Sequence, residues 1–138
     1  MVNGSWDESL ETGNEMIDSQ HRQLLNLLDE VKDDFKSHNN VLRILDKVTD
    51  LTMTHFLCEE ELMTKVNYPS DTTKKMIEQH KTFKSYLRLR ILEFRQGEKL
   101  TGQPLQSFIV NYLKDHEFKA DRQLVNWIHK QNETSEAA

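Results

Sequence analysis

Six residues combine donor chemistry with helical spacing: His21, His55, Glu59, His80, His116 and Asp121. His55 and Glu59 stand four apart, so on a helix both point at one spot. His116 and Asp121 stand five apart, which an ideal helix splays by about 140°. Either Asp121 reaches round, or a local π-bulge restores the shared face. A single core histidine is usually explained by a hydrogen bond to a carbonyl. Four in register with two carboxylates are not, because a buried carboxylate is costly unless its charge is compensated. A divalent or trivalent cation would satisfy the set. Nitrogen and carboxylate donors without a thiolate set suit iron, manganese or zinc. His38 and His129 fall at helix ends and need no such account.

These residues need long helices to bring them together, and the sequence supplies four. The first is expected over 19–35, with Asp18 as N-cap and His21, Leu24, Leu28, Val31 and Phe35 on one face. The second runs over 41–66, where Val41, Leu45, Val48, Leu51, His55, Glu59, Leu62 and Val66 recur at three- and four-residue steps. Asn39 and Asn40 break the chain before it; Asn67, Pro69 and Ser70 break it after. The third covers 71–96, with Met76, His80, Phe83, Leu87, Ile91 and Phe94 inward and Gly97 as C-cap. The fourth starts near Pro104, with Leu105, Phe108, Ile109, Tyr112 and His116 inward. Its stripe then slips and continues through Asp121, Leu124, Val125 and Ile128, which fits a bulge after His116. Short breaks between long amphipathic helices predict an all-α, antiparallel up-down-up-down four-helix bundle with an extended N-terminal leader. One domain is expected over 1–130, followed by a polar tail or the start of a linker over 131–138.

Composition agrees. The chain has 138 residues, with only four glycines and two prolines, too few for a turn-rich β protein. A net charge of −5 argues against nucleic-acid binding. The lone Cys58 cannot form an internal disulfide, no apolar stretch approaches the ~20 residues of a membrane span, and the start lacks a signal-peptide pattern. A cytoplasmic domain without a membrane partner is the expectation. No Glu-x-x-His pair is present, and no serine or cysteine stands at a nucleophile elbow.

Taken together, these residues resemble the hemerythrin family, in particular its bacterial domains. The opening carries Trp6, Leu10, Gly13 and Ile17-Asp18-Ser19-Gln20-His21. The most specific match is His55-Phe56-Leu57-Cys58-Glu59-Glu60, continued by Leu62-Met63 and Tyr68-Pro69. His80 with Phe83, then His116 with Asp121, follow in order. The resemblance spans about residues 6 to 128. It implies a non-haem di-iron site that binds O2 or another small diatomic or anionic ligand. His21 and His55 would bind one iron, and His80 and His116 the other. Glu59 and Asp121 would bridge them, together with an oxo or hydroxo group.

One position departs from the family. A histidine is usual one turn before the residue matched by His80, and Met76 stands there. Methionine at an inward helical position is usually core filler, and a thioether is a poor ligand for hard iron. The second iron would then keep an open or water-filled position and oxidise readily in air. That behaviour suits a redox or O2 sensor, with the polar end leading to a signalling output such as a diguanylate cyclase or chemoreceptor. The alternative is a stand-alone O2 carrier or store. No distinct acid–base pair for turnover is visible, so the domain itself is not expected to be an enzyme. A bundle with zinc or no metal is the bland reading.

Overall fold

The computed structural model describes residues 6–33, 38–96 and 102–137. Among these the chain is helical, with no strands, and forms a four-helix bundle. Helix α1 spans Glu15–Asp33, α2 spans His38–Lys65 and α3 spans Ser70–Arg95. The fourth rod is built from α4 (Gly102–Tyr112), a π turn (Leu113–Glu117) and α5 (Phe118–Ala137). Tyr112 and Phe118 both keep right-handed helical dihedrals, so the rod is unbroken. α1 packs on α2 and α4, and α2 packs on α3, as an up-down-up-down order requires.

The start of α1 differs from expectation. Asn14 caps the helix: its Oδ1 accepts from the Ile17 amide at 3.0 Å, and its carbonyl accepts from the Asp18 amide. Asp18 lies one turn inside. Its buried carboxylate accepts from the Thr12 amide and hydroxyl, both at 2.8 Å, and from the Gly13 amide at 3.2 Å. Gly13 has φ +92°, the left-handed region glycine tolerates, and this folds the leader back onto Asp18. The leader itself is a short 3-10 turn, Glu8–Leu10, and Trp6 lies over the Arg22 guanidinium.

Asn39 and Asn40 do not break the chain; they belong to the first turn of α2. The end of α2 is set by Asn67, at φ +57°. The Tyr68 amide donates to the Met63 carbonyl and the Asn67 amide to that of Thr64, a Schellman closure. Gly97 and the side chain of Pro104 lie outside the described residues, and α4 begins at Gly102. The polar stretch from 131 continues α5 as helix through Ala137.

The core runs along the bundle axis in two parts. The larger part holds Leu24, Leu28, Leu45, Val48, Phe83, Leu87, Ile109 and Leu113. The smaller holds Met63, Met76 and Leu124. All six residues expected on the inner face of α3 are buried. No helix among the described residues is long and apolar enough to cross a membrane.

Candidate metal centre

Each helical rod delivers buried donors to one region of the bundle interior. α1 supplies His21, α2 supplies His55 and Glu59, and α3 supplies His80. The fourth rod supplies Asp121 and also Glu117, which is 3% exposed. The donors fall into two groups that share Glu59. One is His21, His55, Glu59 and Asp121; the other is Glu59, His80 and Glu117. In each group the candidate ligand atoms lie within 4.8 Å of one another.

Asp121 Oδ2 is 2.6 Å from His21 Nε2 and 3.1 Å from His55 Nε2. Glu59 spans the two groups: Oε1 is 2.7 Å from His55 Nε2, and Oε2 is 3.1 Å from His80 Nε2. Glu117 Oε1 sits 3.4 Å from His55 Nε2 and 3.3 Å from His80 Nε2. The outer nitrogens are held as well. His55 Nδ1 pairs with Gln20 Oε1 at 2.6 Å, and His80 Nδ1 with Glu60 Oε2 at 3.1 Å. Phenylalanine rings stack on two of the imidazoles, Phe118 on His21 and Phe56 on His80, each at 3.9 Å.

His116 is not part of this arrangement. It is exposed and lies against the Tyr112 ring at 4.7 Å. The reason is where the backbone widens. The Phe118 amide donates to the Leu113 carbonyl across a π turn, which brings Glu117 and Phe118 onto the inner face. From there the helix is regular α, so Glu117 and Asp121, four apart, share that face. The anticipated bulge exists, but it spans Leu113–Glu117, starting ahead of His116 rather than lying between His116 and Asp121. The sequence held a signal for Glu117. Leu113, Glu117, Asp121, Leu124 and Ile128 recur at three- and four-residue steps, whereas Phe108, placed inward beside His116, is 48% exposed.

Met76 is buried with Met63 and Leu124, as core filler. Cys58 is half-buried and belongs to neither donor group.

Electrostatically the cluster is unsettled without a cation. Burial opposes charge on His55, yet the carboxylates of Glu59, Asp121 and Glu117 outweigh it and raise its pKa well above the ordinary histidine value. His80 is raised in the same way, chiefly by Glu117 and Glu60 against the effect of burial. Burial, with the charges of Asp121 and Glu117 beside it, pushes Glu59 well up. Burial also works against ionisation of Asp121, but the neighbouring Glu59 and the imidazoles of His21 and His55 prevail and hold it below the usual carboxylate range.

Several of these atoms do not satisfy one another despite their proximity. Both Glu59 oxygens, His80 Nε2, Glu117 Oε1 and Asp121 Oδ1 are buried without a hydrogen bond. Buried acceptor atoms left without donors, close to one another within each group, suit a cation held among them. The donor set therefore fits a pair of adjacent metal ions.

Residues 12–128 match the hemerythrin HHE cation binding domain. The chain belongs to the hemerythrin family. It is 31% identical to a bacteriohemerythrin of Stenotrophomonas maltophilia (strain R551-3), over 80% of this chain and 72% of the relative. A bacteriohemerythrin of Clostridium acetobutylicum is 23% identical over 88% of this chain and 98% of its own length. A hemerythrin-like protein of Naegleria gruberi is 29% identical over 83% and 88%. Hemerythrins hold a non-haem di-iron centre that binds O2, and the clustered histidines and carboxylates here supply groups that could hold one.

Proposed function

We propose that this chain is a di-iron O2- and redox-responsive domain that acts as the sensory input of a signalling protein. The observation that carries the reading is Glu59, buried and shared between two donor groups, which makes the cluster a place for two adjacent ions. His21, His55 and Asp121 would hold one iron, His80 and Glu117 the other, and Glu59 would bridge. When bound, the iron pair supplies two reducing equivalents and reversible O2 binding. The chain's own residues set its surroundings. Gln20 and Glu60 fix the orientation of His55 and His80, and Phe56 and Phe118 cover the imidazole faces and keep water off them.

The sensing part of the reading is supported by α5. The rod that carries Glu117 and Asp121 continues as helix to Ala137, about 24 Å beyond Asp121 at 1.5 Å per residue. In this reading the continuous helix is the route by which a change at the two carboxylates reaches a distant helix end. Placement in the cytoplasm and the lack of an enzymatic role for the domain itself belong to the same proposal.

The test is O2 uptake by the anaerobically reduced, iron-loaded chain, followed by hydrogen exchange along α5 in the reduced and oxidised states. Uptake with prompt oxidation and altered exchange beyond Asp121 supports the sensor. Long-lived, reversible uptake with unchanged exchange favours a carrier or store. No uptake removes the O2 reading.

A further inference from the structure

The two donor groups are chemically unlike, and we propose that the chain binds two metal ions in order: the His21–His55–Asp121 position fills first, and the His80–Glu117 position fills second and accepts a harder, oxygen-seeking cation such as Mn2+ beside Fe2+. The inference rests on the dinuclear reading above and deepens it.

The first position offers two imidazole nitrogens, 3.2 Å apart, with the Asp121 carboxylate and a share of Glu59. The second offers one imidazole, with Glu117 and the other oxygen of Glu59. Two side chains that could have added nitrogen or sulfur there do not: Met76 packs with Met63 and Leu124, and His116 turns outward onto Tyr112.

The hydrogen bonds behind the ligands run the same way. His55 donates from Nδ1 to a neutral amide oxygen of Gln20, whereas His80 donates to the carboxylate of Glu60. A carboxylate partner makes an imidazole a more basic, more anionic ligand. The second position is thus poorer in nitrogen and richer in negative oxygen. Nitrogen donors favour later first-row ions along the Irving–Williams order, and oxygen donors suit Mn2+. Fewer ligands, and entry beside a cation already in place, both weaken the second step.

The experiment is an anaerobic titration of the metal-free full chain with Co2+, read by visible absorption. A second titration adds Mn2+, read by electron paramagnetic resonance, to chain already holding one equivalent of Fe2+. We expect two resolved steps separated at least tenfold in affinity, and Mn2+ uptake in the second without displacement of Fe2+. Glu117→Gln, nearly the same shape, should lose the second step and keep the first, while His116→Ala keeps both; circular dichroism checks that each variant is helical. Two equivalents entering in one unresolved step would overturn the ordered filling while leaving the dinuclear site intact. A second step lost in His116→Ala but kept in Glu117→Gln would overturn the assignment of Glu117. Failure to bind any metal would overturn the dinuclear reading itself.

Discussion

The apolar and polar parts of the bundle interior are built from the same four rods but do opposite energetic work. Around Leu28, Leu45, Val48, Phe83 and Leu87, close packing removes hydrocarbon from water and stabilises the fold outright. Around His21, His55, Glu59, His80, Glu117 and Asp121, the same rods bury groups that are costly to desolvate and only partly satisfied by one another. The difference teaches that folding and function are divided along the bundle. The apolar part holds the helices in register, and the polar part waits for a cation to repay its desolvation.

The sharpest way to break that division is at the residue common to both donor groups. Glu59→Ala should abolish tight binding at both positions, and metal content per chain after loading should fall from about two to well below one. Retention of both ions would show that Glu59 is not shared.

Stability should respond differently in the two parts. Phe83→Ala, which empties a 1%-exposed core site, should cost about 3–5 kcal/mol with or without metal in chemical denaturation. Metal at a thousandfold over its dissociation constant should add about 4 kcal/mol to the wild-type chain and little to Glu59→Ala. Equal stabilisation of both proteins would contradict the assignment.

The pH dependence should reverse between the two forms. In the metal-free chain the raised pKa values of His55, His80 and Glu59 mean that the folded state holds extra protons. The histidine contribution is full below the ordinary histidine pKa and is lost as pH rises through the folded values. The raised Glu59 likewise favours folding more at low pH. Asp121, lowered, works in the opposite sense and is lost only in strong acid. Metal-free stability should therefore fall as pH rises from mildly acidic to alkaline. Metal binding displaces those protons, so affinity should rise over the same range and protons should be released on loading. Denaturation midpoints and proton release in unbuffered titrations check both signs.

A smaller effect is expected at Met76. Met76→His puts an imidazole one turn before His80, and the iron-loaded chain should oxidise in air several-fold more slowly. An unchanged or faster rate would mean that Met76 does not govern the reactivity of the second ion.

How much of this was legible in the sequence follows from backbone regularity. On α2 and α3 the helix is ordinary, so His55, Glu59 and His80 could be placed from spacing alone, and their neighbours Phe83 and Leu87 followed. The resemblance gave the family and the ion pair. On the fourth rod the backbone widens at Leu113–Glu117, and one extra residue in a turn decides which of two adjacent side chains faces inward. His116 and Glu117 exchange places on that account, and no propensity fixes the position of a π turn to within one residue. The cap of α1 was missed for a related reason. Asp18 has the right chemistry for an N-cap, but the Gly13 bend let Asn14 take that role and left Asp18 to hold the leader.

The most direct test of the central claim is iron content together with Mössbauer spectroscopy of the chain loaded anaerobically with 57Fe. The account predicts about two irons per chain in two distinguishable environments, one nitrogen-rich and one oxygen-rich. One iron or none per chain, or two in a single indistinguishable environment, would contradict it.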